Sequence, residues 1–304
     1  MANDGLLVVR DSQPAPRSAR RDAGSDAASS ATLTVPGARL YYEIQGAGPL
    51  LLLIPGGPAD AGVFADLAGG LADRYTVVAY DPRGNSRSTL DGPPEDQRLD
   101  VHGDDAARLI EALGGGLAYV FGTSGGAQIG LNLAARHPQQ VRVLVAHEPP
   151  CLMMLEDSSQ ALANNSDVHD TYRRAGARVA MQQFMSMNGM AGRPNRNAPP
   201  VPATAAGIET FGRIEKNFEY FLAHGLLPLS LYRPDVDALR ANRTSVVLGI
   251  GELTAGETAN RTAVALAAKL GIEPLLFPGD HIGYGPHAEA FGVVLHQALA
   301  GQRQ

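Results

Sequence analysis

The stretch Tyr119-Val120-Phe121-Gly122-Thr123-Ser124-Gly125-Gly126-Ala127 does most to narrow what this chain can fold into. An apolar, strand-forming run ends at a glycine, a serine sits among small residues, and a helix-length segment opens directly afterwards. A G-x-S-x-G element in that setting is the signature of a nucleophile elbow, a strained strand-to-helix turn that lifts the serine hydroxyl above the end of a sheet. The plainer reading is a glycine-rich turn without chemistry, but the strand before it and the helix after it argue for the catalytic one. Ser124 is the candidate nucleophile.

Such a turn requires a sheet of a particular kind. Short apolar runs recur at 39–44, 50–54, 76–80, 118–121, 141–146, 245–250 and 274–277, with helix-length segments at 95–113, 126–136, 258–270 and 287–300. Strands alternating with helices predict an α/β fold, a mostly parallel central sheet flanked by helices. The alternation lapses between Cys151 and about residue 239, where irregular helices are interrupted by a loop at 189–202. The expected organisation is a core at 33–150 and 240–304 with a helical lid, or cap, inserted at 151–239. Residues 1–32 are expected to form a disordered tail, because their Ser, Ala, Pro, Arg and Asp show no apolar periodicity.

Composition removes several classes of function. Lys and Arg total 25 against 31 Asp and Glu, a formal charge of −6 with no basic run, so nucleic acid is not an expected partner. Cys151 is the only cysteine, which rules out an intrachain disulfide and a thiolate metal site and fits a reducing compartment. The run Leu6-Leu7-Val8-Val9 is too short for a signal-peptide core, and Arg20-Arg21 is followed by Asp22 rather than by an apolar stretch. No segment approaches the roughly 18 apolar residues of a membrane span. A cytoplasmic protein without a membrane partner is expected, with a homodimer left open.

With the elbow and the alternation in place, the chain resembles the α/β-hydrolase superfamily over nearly all of residues 33–304. Asp81-Pro82-Arg83-Gly84-Asn85-Ser86-Arg87-Ser88 is similar to that superfamily's D-x-R-G-x-G-x-S loop, with Ser86 in place of the second glycine, and is expected to be structural. The resemblance implies that Pro55-Gly56-Gly57-Pro58, at the end of a buried strand, supplies one oxyanion-hole amide, Gly57, to pair with that of Gly125. It also implies that the base lies late in the chain, which selects His281 in Phe277-Pro278-Gly279-Asp280-His281. The usual acid position, after the run at 245–250, carries Thr254 instead of Asp. One strand earlier, His147-Glu148-Pro149-Pro150 places a carboxylate at the edge where ligands bind, so Glu148 is the expected acid and Glu252 the alternative.

Within the superfamily the chain resembles the zearalenone lactone hydrolases in Tyr41-Tyr42-Glu43, in Gly46-x-Gly48-Pro49, in His147-Glu148-x-Pro150, and in the loop from Phe277 through Tyr284 to His287. That implies an ester or lactone hydrolase needing no metal or organic cofactor, whose substrate is an apolar small molecule. The chain has no Trp, and Leu222 fills the place of the family's substrate-facing tryptophan. Six of the seven methionines lie between 153 and 190, and Met153, Met154, Phe221 and Leu222 are the expected pocket residues. Two other readings stay open. Gly56-Gly57-Pro58 resembles the proline iminopeptidases, for which Glu156, Asp157, Glu209, Glu215 and Glu219 could bind a substrate amine, and the same fold can serve a non-catalytic ligand-binding protein.

Overall fold

The computed structural model describes residues 28–190, 204–242 and 244–301. Nine strands, β1 (Ser29–Val35), β2 (Ala38–Gln45), β3 (Leu50–Ile54), β4 (Thr76–Tyr80), β5 (Thr89–Leu90), β6 (Ala118–Thr123), β7 (Val141–His147), β8 (Ser245–Gly251) and β9 (Leu275–Phe277), form one sheet. Its order is β1-β2-β4-β3-β6-β7-β8-β9, with the two-residue β5 paired to β2. The first pairings, β1 with β2 and β2 with β4, are antiparallel, and from β4 through β9 every neighbour is parallel.

Strand periodicity divides the core in two. Leu52 and Ile54 of β3 point to one face with Val78, Val120 and Leu144, and there meet α2 (Leu99–Ala112), α3 (Gly125–Arg136), α8 (Val236–Ala241) and α9 (Thr258–Leu270). Leu51 and Leu53 point to the other face with Val77, Phe121 and Val145, and meet α1 (Ala65–Leu71) and α10 (Ala288–Leu299) through Phe64, Leu67, Phe291 and Leu295. A central strand covered on both sides has no polar face, which is why 50–54 reads as an unbroken apolar run.

Between β7 and β8 the chain forms α4 (Ser158–Ala175), α5 (Ala177–Met187), α6 (Ala205–His224) and α7 (Leu226–Ser230) before α8. These helices have a small core of their own, with Val168, Ala180, Met181, Leu222 and Leu226 buried together. The loop expected at 189–202 lies outside the described residues beyond Met190.

The structure moves two boundaries and adds one helix. β1 starts at Ser29, pairing Ser29 to Thr32 with Ile44 to Tyr41, so the expected tail is too long at its C-terminal end; its residues 1–27 lie outside the described chain. The helix expected from 95 starts at Leu99, because Arg98 is extended (φ −124°, ψ 124°) and the Gln97 amide bonds the His224 carbonyl oxygen of α6 at 2.7 Å. Helix α1, seven residues with two adjacent glycines, was not expected from periodicity.

Candidate active site

Each candidate catalytic or oxyanion residue lies shortly past the C-terminal end of a strand. The parallel register sets Ile54 beside Gly122, Thr123 beside His147, His147 beside Gly249, and Gly251 beside Phe277. The segments that follow β3, β6, β7, β8 and β9 therefore emerge on one edge, where ligands bind in sheets of this type.

Ser124 makes the turn from β6 into α3 with φ 52° and ψ −126°, a conformation that costs a non-glycine residue on the order of 1–3 kcal/mol. Two bonds hold it: the Ser124 amide donates to the His147 carbonyl oxygen and the Ala127 amide to the Ser124 carbonyl oxygen, each at 2.9 Å. Close packing explains two neighbouring glycines. A Cβ on Gly126 would stand 2.1 Å from the Ile54 carbonyl oxygen, and one on Gly56 would stand 2.6 Å from Ser124 Cβ.

Gly57, at φ 54°, occupies the loop leaving β3, and a Cβ placed on Gly125 would lie 3.1 Å from the Gly57 nitrogen. The two backbones thus meet beside the serine. Gly125 is the first residue of α3, where an amide has no carbonyl one turn back and the helix end carries partial positive charge.

Glu148 is fully buried and has φ 47°, its amide donating to the Gly249 carbonyl oxygen at 2.9 Å. Its Oε2 lies 2.7 Å from His281 Nδ1. Its Oε1 accepts from the Gly251 amide at 3.0 Å and from the Thr254 hydroxyl. Thr254, the residue at the usual acid position, thus serves as a donor to the carboxylate that replaces that acid, and Asn260 Nδ2 donates in turn to Thr254 Oγ1 at 3.2 Å. Burial alone would raise the Glu148 carboxyl, but the His281 hydrogen bond and charge, with help from His147 and Thr254, outweigh it and hold the group at about 2. The group is ionised at neutral pH, so Nδ1 of His281 must donate, which leaves Nε2 as the acceptor of a neutral ring. Glu252, the alternative acid, is exposed and takes no part in this set.

Sequence reasoning missed His147 as a separate element of the site. Its ring is fully buried among Phe121, Phe277 and Phe291, 6.3 Å between centroids from His281, with Nδ1 3.2 Å from Thr123 Oγ1. Burial pushes it down to about 4, so it is neutral at pH 7.

Ser124 and His281 face a cavity of about 390 Å³ together with Gly57, Gly125 and Gln128. Met181, Phe184, Met185, Met190, Phe211, Ile214, Phe218, Phe221, Leu226 and Leu229 supply large apolar side chains to the wall. Of the four expected pocket residues only Phe221 lines it. Met153 and Met154 lie in a short 3-10 turn directly after the Glu148 segment, and Met154 packs down onto the sheet core. Leu222 is 1% exposed and packs with Phe221 in the interior of the helical segment without reaching the cavity. Among the described residues no group of three or more His, Cys, Asp or Glu side chains could hold a metal ion, and no helix is long and apolar enough to cross a membrane.

Comparison with known proteins identifies the family. A family profile described as the alpha/beta hydrolase fold matches residues 49–206, which include the elbow, the Gly57 loop and Glu148. The chain belongs to the α/β-hydrolase family. An uncharacterized hydrolase of Bacillus subtilis, YraK, is 36% identical to this α/β hydrolase over 281 residues, 90% of this chain and 97% of that one. A zearalenone hydrolase of Bionectria ochroleuca is 26% identical over 271 residues, 86% of this chain and 94% of its own. The structure of a thermophilic esterase from Thermogutta terrifontis superposes with a TM-score of 0.68 at 19% identity, covering 90% of this chain and 97% of that one, a likeness of fold.

Proposed function

We propose that this α/β hydrolase cleaves a carboxylic ester or lactone through an acyl-enzyme on Ser124. The observation that carries the reading is the buried 2.7 Å Glu148–His281 pair on the same sheet edge as a strained elbow serine, facing an apolar cavity. His281 Nε2 takes the Ser124 proton as Oγ attacks the carbonyl carbon, while Glu148 fixes the ring tautomer and stabilises the imidazolium. The Gly57 and Gly125 amides receive the oxyanion of the tetrahedral intermediate. Collapse expels the alcohol, which in a lactone stays tethered to the acyl chain, and His281 then activates water to release the acid.

The cavity wall supports a bulky apolar or aromatic substrate, and the 26% identical zearalenone hydrolase makes a macrocyclic lactone the first to try. In this reading the helices between β7 and β8 act as a lid. An aminopeptidase is less well supported, because none of the acids that would bind an amine lines the cavity. Asp157 pairs with Arg261, Glu209 with Arg213 and Glu215 with Arg178, Glu219 accepts from the Tyr172 hydroxyl, and Glu156 is exposed. The test is a panel of aryl esters, zearalenone and aminoacyl arylamides with wild type and Ser124→Ala, together with fluorophosphonate labelling. Turnover of esters or lactones that vanishes in Ser124→Ala supports the reading; turnover confined to aminoacyl arylamides overturns it.

A further inference from the structure

The loop that carries Gly57 is held by side chains from two distant parts of the chain. Within the loop the Ala59 amide donates to the Gly56 carbonyl oxygen at 3.0 Å. That carbonyl belongs to the same planar peptide as the Gly57 N–H and points the opposite way, so fixing one aims the other. From the segment after β4, Asn85 Nδ2 donates to the carbonyl oxygens of both Gly57 and Ala59 at 3.0 Å. From α6, Asn217 Nδ2 donates to the intervening carbonyl oxygen of Pro58 at 2.8 Å. Two buried asparagines therefore hold three successive carbonyls directly downstream of the Gly57 amide.

Asn217 has a second set of bonds, which accounts for the departure at Ser86. Ser86 stands where the superfamily loop has a glycine and keeps the positive φ, 49°, that a glycine would tolerate. The Ser86 amide donates to Asn217 Oδ1 at 2.8 Å and Ser86 Oγ accepts from Asn217 Nδ2 at 2.8 Å. One turn earlier on α6, Arg213 Nε donates to the buried Asp60 carboxylate at 2.7 Å, and that carboxylate also accepts from the Gly62 amide at 2.9 Å. Every polar atom of the Asn217 side chain is thus bound, on a helix from outside the sheet core, to the two loops that shape the oxyanion site.

We propose that Asn217, supported by Arg213, is a positioning residue for the oxyanion hole. Through Pro58 and Ser86 it sets the Gly57 amide, and Ser86 is the residue that lets α6 grip the loop after β4. The inference rests on the serine-hydrolase reading for its effect on turnover, but not for its effect on the loop. Loss of Asn217 should act on the transition state more than on substrate binding, because the Gly57 amide is worth most once the oxyanion has formed.

The experiment compares wild type, Asn217→Ala and Asn217→Ala/Ser86→Gly, with p-nitrophenyl butyrate as probe and hydrogen–deuterium exchange as the readout of the loop. Asn217→Ala should lower kcat about 10- to 100-fold, short of the roughly 10²–10³ lost with a whole oxyanion donor, and leave KM within about threefold. Exchange should quicken at 55–63. Ser86→Gly in that background should recover part of kcat, because a glycine holds the positive φ without the lost bonds. An unchanged kcat overturns the proposal, as does an unchanged exchange at 55–63 whether or not Ser124→Ala abolishes turnover. A raised KM with faster exchange throughout α6 also overturns it, since Asn217 would then only dock the helix. Turnover that survives Ser124→Ala would refute the nucleophile alone.

Discussion

Ser124 and His281 at the sheet edge, with Glu148 buried behind the histidine, and Met181, Phe184 and Met185 in the helices above them serve one cavity but are placed by different physics. The first three are positioned by backbone. Each follows the last residue of a strand or closes a short loop from one, and two of them hold positive φ, 52° at Ser124 and 47° at Glu148. The methionines and Phe184 are positioned by packing among helices, where the side of the helix that faces substrate depends on crossing geometry. Backbone placement is tolerant of little and leaves marks in local sequence. Packing placement tolerates exchange among apolar residues and leaves almost none.

The sharpest way to break this contrast is at the acid. Glu148→Gln keeps a group that can hydrogen-bond His281 but removes the charge and permits the wrong tautomer, a defect worth about 10⁴ in kcat in the serine-protease precedent. Glu252→Gln should leave kcat within about twofold, as expected for an exposed side chain. Circular dichroism establishes first that both variants are folded. A folded Glu148→Gln enzyme of near-normal turnover would remove the carboxylate from the mechanism.

Thr254 gives a finer test of the same arrangement. Thr254→Val keeps the shape and removes the hydroxyl between Asn260 and Glu148 Oε1, leaving the carboxylate with the Gly251 amide on that oxygen. A lost hydrogen bond to a buried charge is worth about 1.5–3 kcal/mol, so a kcat loss of roughly 10- to 100-fold is expected. The wild-type value in Thr254→Val would show that the hydroxyl only fills space.

These residues show how far the sequence could be read. The strand runs and the tight turn at Ser124 were legible because strand burial and tight turns impose local patterns: continuous apolar residues in 50–54, glycines wherever a Cβ would collide. His281 and Glu148 were candidates only through the family resemblance, and the structure sets them 2.7 Å apart. Thr254 was legible as an anomaly but not as a partner, since its contact with Glu148 joins residues 106 positions apart. Asn217 and Arg213 were not legible at all, because their loop partners lie 131 to 159 positions away and nothing in α6 marks them. Met153, Met154 and Leu222 were misplaced for a related reason. Composition located the apolar segment, but one residue along a helix turns the side chain by about 100°; Phe221 and Leu222 share the helical core, and only Phe221 also reaches the cavity.

The buried histidine under the site predicts an acid-sensitive fold. His147 is held at about 4 against an ordinary 6.5, so above pH 6.5 it is neutral in both states and its full contribution is present. As pH falls from 6.5 towards 4 the unfolded chain takes up a proton that the native site refuses, and stability falls by up to about 1.4 kcal/mol per pH unit. His102, held at about 3 chiefly by burial, acts with the same sign, while the Glu148 contribution is lost only lower, between 4.5 and about 2. Urea midpoints measured from pH 7 to 4 should decline, and His147→Asn should flatten the decline while His102 keeps part of it. A slope unchanged by His147→Asn would mean that the ring is protonated in the native protein.

The smallest effects belong to the cavity wall and decide whether packing placement has been read correctly. Met185→Ala removes a side chain that lines the cavity without being deeply buried, so its cost should fall on substrate contact more than on stability. With a bulky aryl ester or macrocyclic lactone, a few-fold rise in KM is expected at nearly constant kcat, the pattern of lost uniform binding. With an acetyl ester too small to reach that wall, KM should stay put. Met153→Ala, at a position that the sequence reading names for the pocket but the structure places off the cavity, should leave both substrates within about 1.5-fold, as for a change remote from the bound molecule. The comparison between the two methionines matters more than either value. Equal effects of the two substitutions on the bulky substrate would show that the helices rearrange around it, and that the cavity seen without ligand is not the one that binds.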